Sequence, residues 1–265
     1  MGKYKMKIGI IGAGFVGGAV KNAYDTFGVP VIVHDPSKGF VSTWEELRSC
    51  DGLFVCVPSP TSETGECDTS ILEEVLSNLA GMEGVIISKV TAPPGVYSKL
   101  QVVHPNLVHA PEFLVAATAN DDYIHGYFAF IGGSEEYCQK AESIIRAGQP
   151  SLRDVTYCTI TEASLAKYTI NSFLATKVVF MNQIYDLANQ LGVNYTALTN
   201  MLASEKRFGD SHMRVPGPDG RRGFAGACFP KDTQALVFEA DRAGVDFSLL
   251  KSAIEANKKL ITLDK

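Results

Sequence analysis

Lys7-Ile-Gly-Ile-Ile-Gly-Ala-Gly-Phe-Val-Gly17 runs from an apolar stretch into a Gly-x-Gly-x-x-Gly turn made by Gly12, Gly14 and Gly17. A strand that feeds such a turn, with helix-favouring sequence behind it, is the fingerprint of a dinucleotide-binding βαβ unit. The glycines let the backbone turn sharply and approach a pyrophosphate closely. Helical sequence follows over residues 19–27, and a second apolar run, Val31-Ile-Val-His34, ends at Asp35. An acid about 20 residues beyond the turn accepts hydrogen bonds from ribose hydroxyls and repels a 2′-phosphate, which selects NAD over NADP. The cofactor expectation is therefore NAD, held by Gly12, Gly14, Gly17 and Asp35.

Composition limits the rest. The chain has 265 residues, is 46% hydrophobic and carries a net charge of −5, enough for one large domain or two modest ones. No strong basic block appears, so nucleic acid is not expected as a partner. No apolar run is long enough to cross a bilayer, and Met1-Gly-Lys-Tyr-Lys5 does not read as a signal peptide. Cys50, Cys56, Cys67, Cys138, Cys158 and Cys228 lack metal-ligand or disulfide-framework spacing, so no metal is expected and a reducing cytoplasm fits.

Strand-like runs at 7–11, 31–34, 53–57, 85–88, 107–109 and 128–132 alternate with helix-like segments such as 70–79 and 135–147. That alternation predicts an α/β fold with a doubly wound, Rossmann-type parallel sheet over residues 1–157. Ligands of such sheets sit at the carboxyl ends of the strands. Pro58-Ser-Pro-Thr61, Lys89-Val-Thr-Ala-Pro-Pro-Gly95 and Ala110-Pro-Glu-Phe-Leu114 fall at those ends. Prolines that merely end strands explain the prolines, but not Thr91 or Glu112.

Residues 158–265 read as an all-helical domain. Thr159-x-x-Glu162 is a capping box, and helix-favouring sequence continues without Gly or Pro to Leu191, where Gly192 stops it. Roughly 30 residues of helix span about 45 Å. Its apolar residues lie on more than one face, which a second subunit would cover, so a homodimer through the 159–191 helix is expected. Lys167 and Asn171 are four apart and share a face. Beside a cofactor cleft they would orient a hydroxyl or stabilise an oxyanion. A second helix over 195–206 leads into a long Gly/Pro loop with Arg207, Arg214, Arg221 and Arg222 in or beside it, either a solvated mixed-charge loop or a phosphate grip. The loop closes on Gly223-Phe-Ala-Gly-Ala-Cys-Phe-Pro-Lys-Asp232, and helices at 232–243 and 247–261 follow. A cysteine at a helix start beside Lys231 is pushed toward thiolate, which is how a nucleophilic Cys228 would be built.

Taken in order, the glycine turn, Val57-Pro-Ser-Pro-Thr61, Lys89-Val-Thr-Ala-Pro-Pro-Gly95, Ala110-Pro-Glu-Phe-Leu114, Lys167-Tyr-x-x-Asn171 and the Cys228 stretch resemble the UDP-glucose/GDP-mannose dehydrogenase family over nearly the whole chain. The resemblance implies two NAD-linked oxidations of the C6 alcohol of a nucleotide sugar, UDP-glucose by default, with a long helix pairing two subunits. It implies a water-linked base from Glu112 with Thr91, attack by Cys228 on the aldehyde, oxyanion stabilisation by Lys167 and Asn171, and Asp232 positioning the hydrolytic water. It also places Ser59, Thr91 and Lys231 near the cofactor. Arg207, Phe224 and Gly226 fall at the substrate, Arg207 reaching that of the neighbouring subunit.

Three departures accompany it. The family continues into a third domain that grips the nucleotide, and this sequence stops where that domain would begin. Ala225 stands where the motif usually has glycine, so a positive φ there would be strained. Ala116 stands where many members have a second glutamate, with Asn120 or Asp121 as nearby substitutes. Two other readings compete: a single-step β-hydroxyacid-type dehydrogenase, which needs no cysteine, and a non-catalytic nucleotide-binding subunit of a polysaccharide-synthesis assembly.

Overall fold

The computed structural model describes residues 6–62, 64–115 and 117–262, so Ala116 and the Met1–Lys5 start lie outside the described residues. Seven strands run as β1 (Ile8–Ile11), β2 (Val31–His34), β3 (Gly52–Val55), β4 (Val85–Ser88), β5 (Leu107–His109), β6 (Phe128–Gly132) and β7 (Asp154–Cys158). The helices among them are α1 (Phe15–Thr26), α2 (Trp44–Arg48), α3 (Ser70–Asn78), α4 (Pro94–Val103), α5 (Ala119–His125) and α6 (Glu135–Gly148). After β7 come α7 (Ile160–Gln190), α8 (Tyr195–Ala203), α9 (Phe229–Arg242) and α10 (Ser248–Thr262). The chain divides into two compact units, Met1–Pro60 with Cys67–Lys167, and Thr61–Glu66 with Tyr168–Lys265.

In the first unit the strands form one sheet in the order β2-β1-β3-β4-β5-β6-β7. Pairing is parallel from β2 through β5, β6 joins β5 antiparallel through His109 and Gly132, and β7 runs parallel to β6. The order reverses between β1 and β3, which opens a crevice at the carboxyl ends of these strands. Every residue of β1, β3 and β4 is buried. Such strands read as continuous apolar runs because helices cover both faces. One face packs Val20, Ala23 and Tyr24 of α1 with Cys138, Ala141 and Ile145 of α6. The other packs Leu47, Leu72, Leu76 and Tyr97 from α2, α3 and α4.

His109, at the end of β5, is fully buried and stacked on Tyr97 at 4.3 Å, with Nδ1 3.1 Å from the Ser88 carbonyl. Burial holds its pKa down at about 3, and the nearby Lys89 and Lys167 ammonium groups push the same way. The unfolded chain therefore binds a proton that the fold refuses. Stability contributed here is whole above the ordinary value of 6.5 and is lost as pH falls toward 3. Urea melts between pH 6.5 and 4 are expected to show a stability slope shallower by one proton in His109→Leu than in the natural chain. Equal slopes would refute it.

The second unit is helical. The box predicted before α7 is formed at the end of the first unit: Thr159 N–H donates to Glu162 Oε2 at 2.7 Å, and Glu162 N–H to Thr159 Oγ1 at 3.2 Å. Gly192 ends the helix at φ 68°, and the Val193 N–H returns to the Ala188 carbonyl at 2.8 Å. A core of Ala175 and Val179 from α7, Phe224, and Leu260 from α10 joins these elements. No helix among the described residues is long and apolar enough to cross a membrane.

Candidate active site

The glycine turn has the shape a dinucleotide needs. Gly12 sits at φ 84°, and a Cβ there would lie 2.7 Å from the Cys56 carbonyl oxygen. A Cβ on Gly17 would overlap the Gly12 carbonyl, whereas Gly14 faces open space. No side chain caps α1, and no acid stands in its first turn. Its N-terminal N–H groups are thus left for an anion. A 570 Å³ cavity lies over this end, lined by Gly14, Phe15, Gly18, Asn22 and Lys38, with Asn120 and Asp121 of α5 at its edge.

Asp35 follows β2 and reaches the glycine turn. Its carboxylate accepts from the Ser37 hydroxyl at 2.6 Å and the Ala13 N–H at 2.8 Å. These two contacts, the hydroxyl first, hold its pKa below the usual carboxylate range. Lys38 Nζ donates to the Ala13 carbonyl at 2.6 Å. The residues fit NAD: a bare helix end for the pyrophosphate and a charged acceptor for the ribose. Asp35→Ser removes that acceptor and leaves Lys38 unopposed beside a 2′-phosphate. Calorimetric titration is expected to show NAD binding weakened about tenfold and the NAD-to-NADP preference narrowed. An unchanged preference would remove Asp35 from the cofactor site.

The loops after β3 and β4 meet. Ser59 Oγ donates to the Thr91 carbonyl at 2.7 Å. Ser164 of α7, which the sequence reading passed over, donates to the Ala92 carbonyl at 2.7 Å and fixes the same loop. Beyond β5, Glu112 lies against Lys167. The Lys167 ammonium donates to the Glu112 carbonyl oxygen at 2.5 Å and to Oε1 at 3.1 Å, and stands 5.0 Å from the Phe113 ring centroid. Glu112 Oε2 accepts the Leu114 N–H at 2.7 Å. Both side chains are buried, at 4% and 8% exposure. The pair is a charged acceptor and a charged donor kept from bulk water, where each is electrostatically stronger.

In the second unit, Cys228 caps α9 with Pro230 in the first turn. The helix starts at Phe229, three residues before the predicted Asp232, so the thiol stands directly at its end. Asp232, 1% exposed, is held from two sides: Asn171 Nδ2 donates to Oδ2 at 2.6 Å and Lys231 Nζ to Oδ1 at 2.7 Å. The loop before Cys228 turns at Gly223 (φ 73°) and Gly226 (φ 81°), while Ala225 is not among the positive-φ residues, so its methyl brings no strain. Asn257 of α10 holds the loop by both amide atoms, Oδ1 accepting from Phe224 N–H at 2.7 Å and Nδ2 donating to its carbonyl at 2.8 Å. No local pattern marks Asn257, since its partner lies in the loop before α9, more than thirty residues away.

The arginines divide. Arg222 pairs with Asp186 at 2.7 Å and donates to the Asn182 carbonyl. Arg207 is 89% exposed and pairs with Glu205 of its own turn.

Comparison with known proteins matches two family models in sequence order. Residues 38–147 match the UDP-glucose/GDP-mannose dehydrogenase family, NAD binding domain, and residues 161–259 its central domain. The chain belongs to the UDP-glucose/GDP-mannose dehydrogenase family. The first of these matches makes NAD the cofactor of the family domain that the first unit carries. Among curated relatives, UDP-glucose 6-dehydrogenase of Rickettsia conorii is 30% identical over 225 residues, covering 81% of this chain and 50% of that protein. UDP-glucose 6-dehydrogenase TuaD of Bacillus subtilis is 30% identical over 226 residues, covering 80% and 47%. The chain thus spans about half the length of the curated relatives it matches. A UDP-glucose dehydrogenase from Pyrobaculum islandicum superposes with a TM-score of 0.82 at 23% identity, over 97% of this chain and 69% of that one. A Mycobacterium tuberculosis 3-hydroxyisobutyrate dehydrogenase does so with a TM-score of 0.74 at 18% identity, over 96% and 93%. At such identities these likenesses speak for the fold alone.

Proposed function

We propose that this chain carries out the NAD-dependent, two-step oxidation of a nucleotide sugar at C6, with UDP-glucose giving UDP-glucuronate. The observation that carries the reading is Cys228 at the end of α9, one turn before a buried Asp232 held by Asn171 and Lys231. NAD, when bound, supplies the acceptor for the hydride at each oxidation. Glu112, acting through a water with Thr91, takes the C6 hydroxyl proton in the first. The Cys228 sulfur then forms a bond to the aldehyde carbon, its proton passing to the carbonyl oxygen, to give a thiohemiacetal. Loss of that proton and the second hydride leaves a thioester. Water attacks the thioester carbon, Asp232 orients it, and the Cys228 thiolate departs. Lys167 and Asn171 donate to the oxygen that gains charge at each tetrahedral stage. Ser59 and Lys231 lie near the cofactor, and Phe224 and Gly226 shape the substrate side.

The same reading gives the enzyme as a cytoplasmic homodimer paired through α7, with Arg207 offered to the partner's substrate. Phe173, Phe180 and Leu187 recur every seven residues along that helix and are 51–67% exposed, with Leu191 at 68% beyond them. A long apolar stripe of this kind needs cover. A single-step β-hydroxyacid-type dehydrogenase gives Cys228 no task, and a non-catalytic subunit has no need of the paired Glu112 and Lys167. The chemical test is acid quenching during turnover followed by peptide mass analysis. A nucleotide-sugar adduct on the Cys228 peptide is expected, and its absence under multiple turnover would sink the covalent step.

A further inference from the structure

The Cys228 loop is gripped by a side chain to which the reaction above gives no part. Asn257, on α10, is 5% exposed. Its Oδ1 accepts the Phe224 N–H at 2.7 Å and its Nδ2 donates to the Phe224 carbonyl at 2.8 Å. One amide thus pairs with both polar groups of one residue, as a neighbouring strand would, and fixes the peptide planes on either side of it. Gly223 admits this grip. Its φ is 73°, and a Cβ there would run into Asn257 Oδ1, so any other residue would be strained and would push the amide away.

A second amide steadies the approach. Asn182 of α7 is 1% exposed, and its Oδ1 accepts from Arg222 Nε at 3.2 Å and from the Gly223 N–H at 3.4 Å. The Phe224 ring packs with Val179 of α7 and Leu260 of α10. That packing fixes where the side chain lies, and the Asn257 hydrogen bonds fix how the backbone leaves it. Beyond Phe224 the chain is less confined. Ala225, Gly226 and Ala227 are exposed, and a Cβ on Gly226 would meet open space. Cys228 then caps α9. The thiol therefore follows a short exposed segment with α9 at one end and the Asn257 grip at the other.

We propose that Asn257 is a positioning residue for Cys228. Its grip on Phe224 sets the path of residues 225–227, and with it the place of the sulfur when the aldehyde is attacked. The inference rests on the reading of Cys228 as the nucleophile. It carries an asymmetry between the two oxidations. Only the second uses the sulfur, so loss of the grip slows the second hydride transfer and spares the first. Displacing a reacting group by about 1 Å costs on the order of a hundredfold in rate.

The test is Asn257→Leu, which is of similar size and lacks both hydrogen bonds, followed by single-turnover NADH formation with UDP-glucose and excess NAD. The first hydride transfer is expected within about threefold of the natural chain and the second slowed about a hundredfold. Asn257→Asp keeps the acceptor for the Phe224 N–H and loses the donor to its carbonyl, so it should show the same selectivity at about tenfold. Equal slowing of both transfers would make Asn257 merely structural, and an unchanged second transfer would free Cys228 from it; either overturns the proposal. Cys228→Ala, run alongside, separates this failure from that of the reading beneath it. Acid formation lost there but kept in Asn257→Leu defeats the positioning role alone, whereas acid formation kept in Cys228→Ala defeats both. Hydrogen exchange of the natural chain needs no variant to fold. The Phe224 N–H should exchange at least about a hundredfold more slowly than those of Ala225 and Ala227, and equal exchange would overturn the proposal.

Discussion

Cys228→Ala is expected to lower formation of the sugar acid by at least about a thousandfold and to leave at most one NADH per sugar. The size follows from what the thiol supplies. An aldehyde holds no leaving hydride until a nucleophile has added to it, and the proposed nucleophile is the Cys228 sulfur at the N-terminal end of α9. Alanine keeps the cap residue's backbone and lies outside the glycine turn and Asp35, so NAD affinity should hold. Assay of acid and of NADH with the purified variant separates the outcomes. Retained acid formation would return Cys228 to a merely structural place beside a turn.

Lys167→Met is expected to be costly twice. It leaves the Glu112 carboxylate at 8% exposure without its cation, and breaking a buried pair from one side costs roughly 3–5 kcal/mol of stability. It also removes a donor assigned to the developing oxyanion, which costs on the order of 10²–10³ in rate. The two effects come apart in a double variant. Lys167→Met with Glu112→Gln buries no unpaired charge, so most of the stability should return while turnover stays lost. Chemical denaturation and steady-state rates for both single variants and the double variant provide the cycle. Recovery of activity along with stability would make scaffold residues of both Lys167 and Glu112.

Much of this was legible because the signals are local. The turn at Gly12, Gly14 and Gly17 needs no distant partner to be read, and neither does the box at Thr159 and Glu162 or the stop at Gly192. Features set by distant pairing were not legible. β7 went unpredicted because Asp154–Cys158 alternates only between exposed and half-buried positions and carries no apolar run. The reversal of β6 rests on its register with β5, which no residue of β6 announces. Within the site, the sequence named Glu112, Lys167, Asn171 and Asp232 but not their pairing, since each pair joins positions about sixty residues apart. Ser164 and Asn257 stayed silent for the same reason: each acts on backbone that another element provides.

The most direct test is the NADH yield at completion with limiting UDP-glucose and excess NAD, the natural chain beside Cys228→Ala. Two NADH per sugar, falling to one or fewer in the variant, is the result this account predicts. One NADH from both proteins, or none from either despite measurable NAD binding, would contradict it.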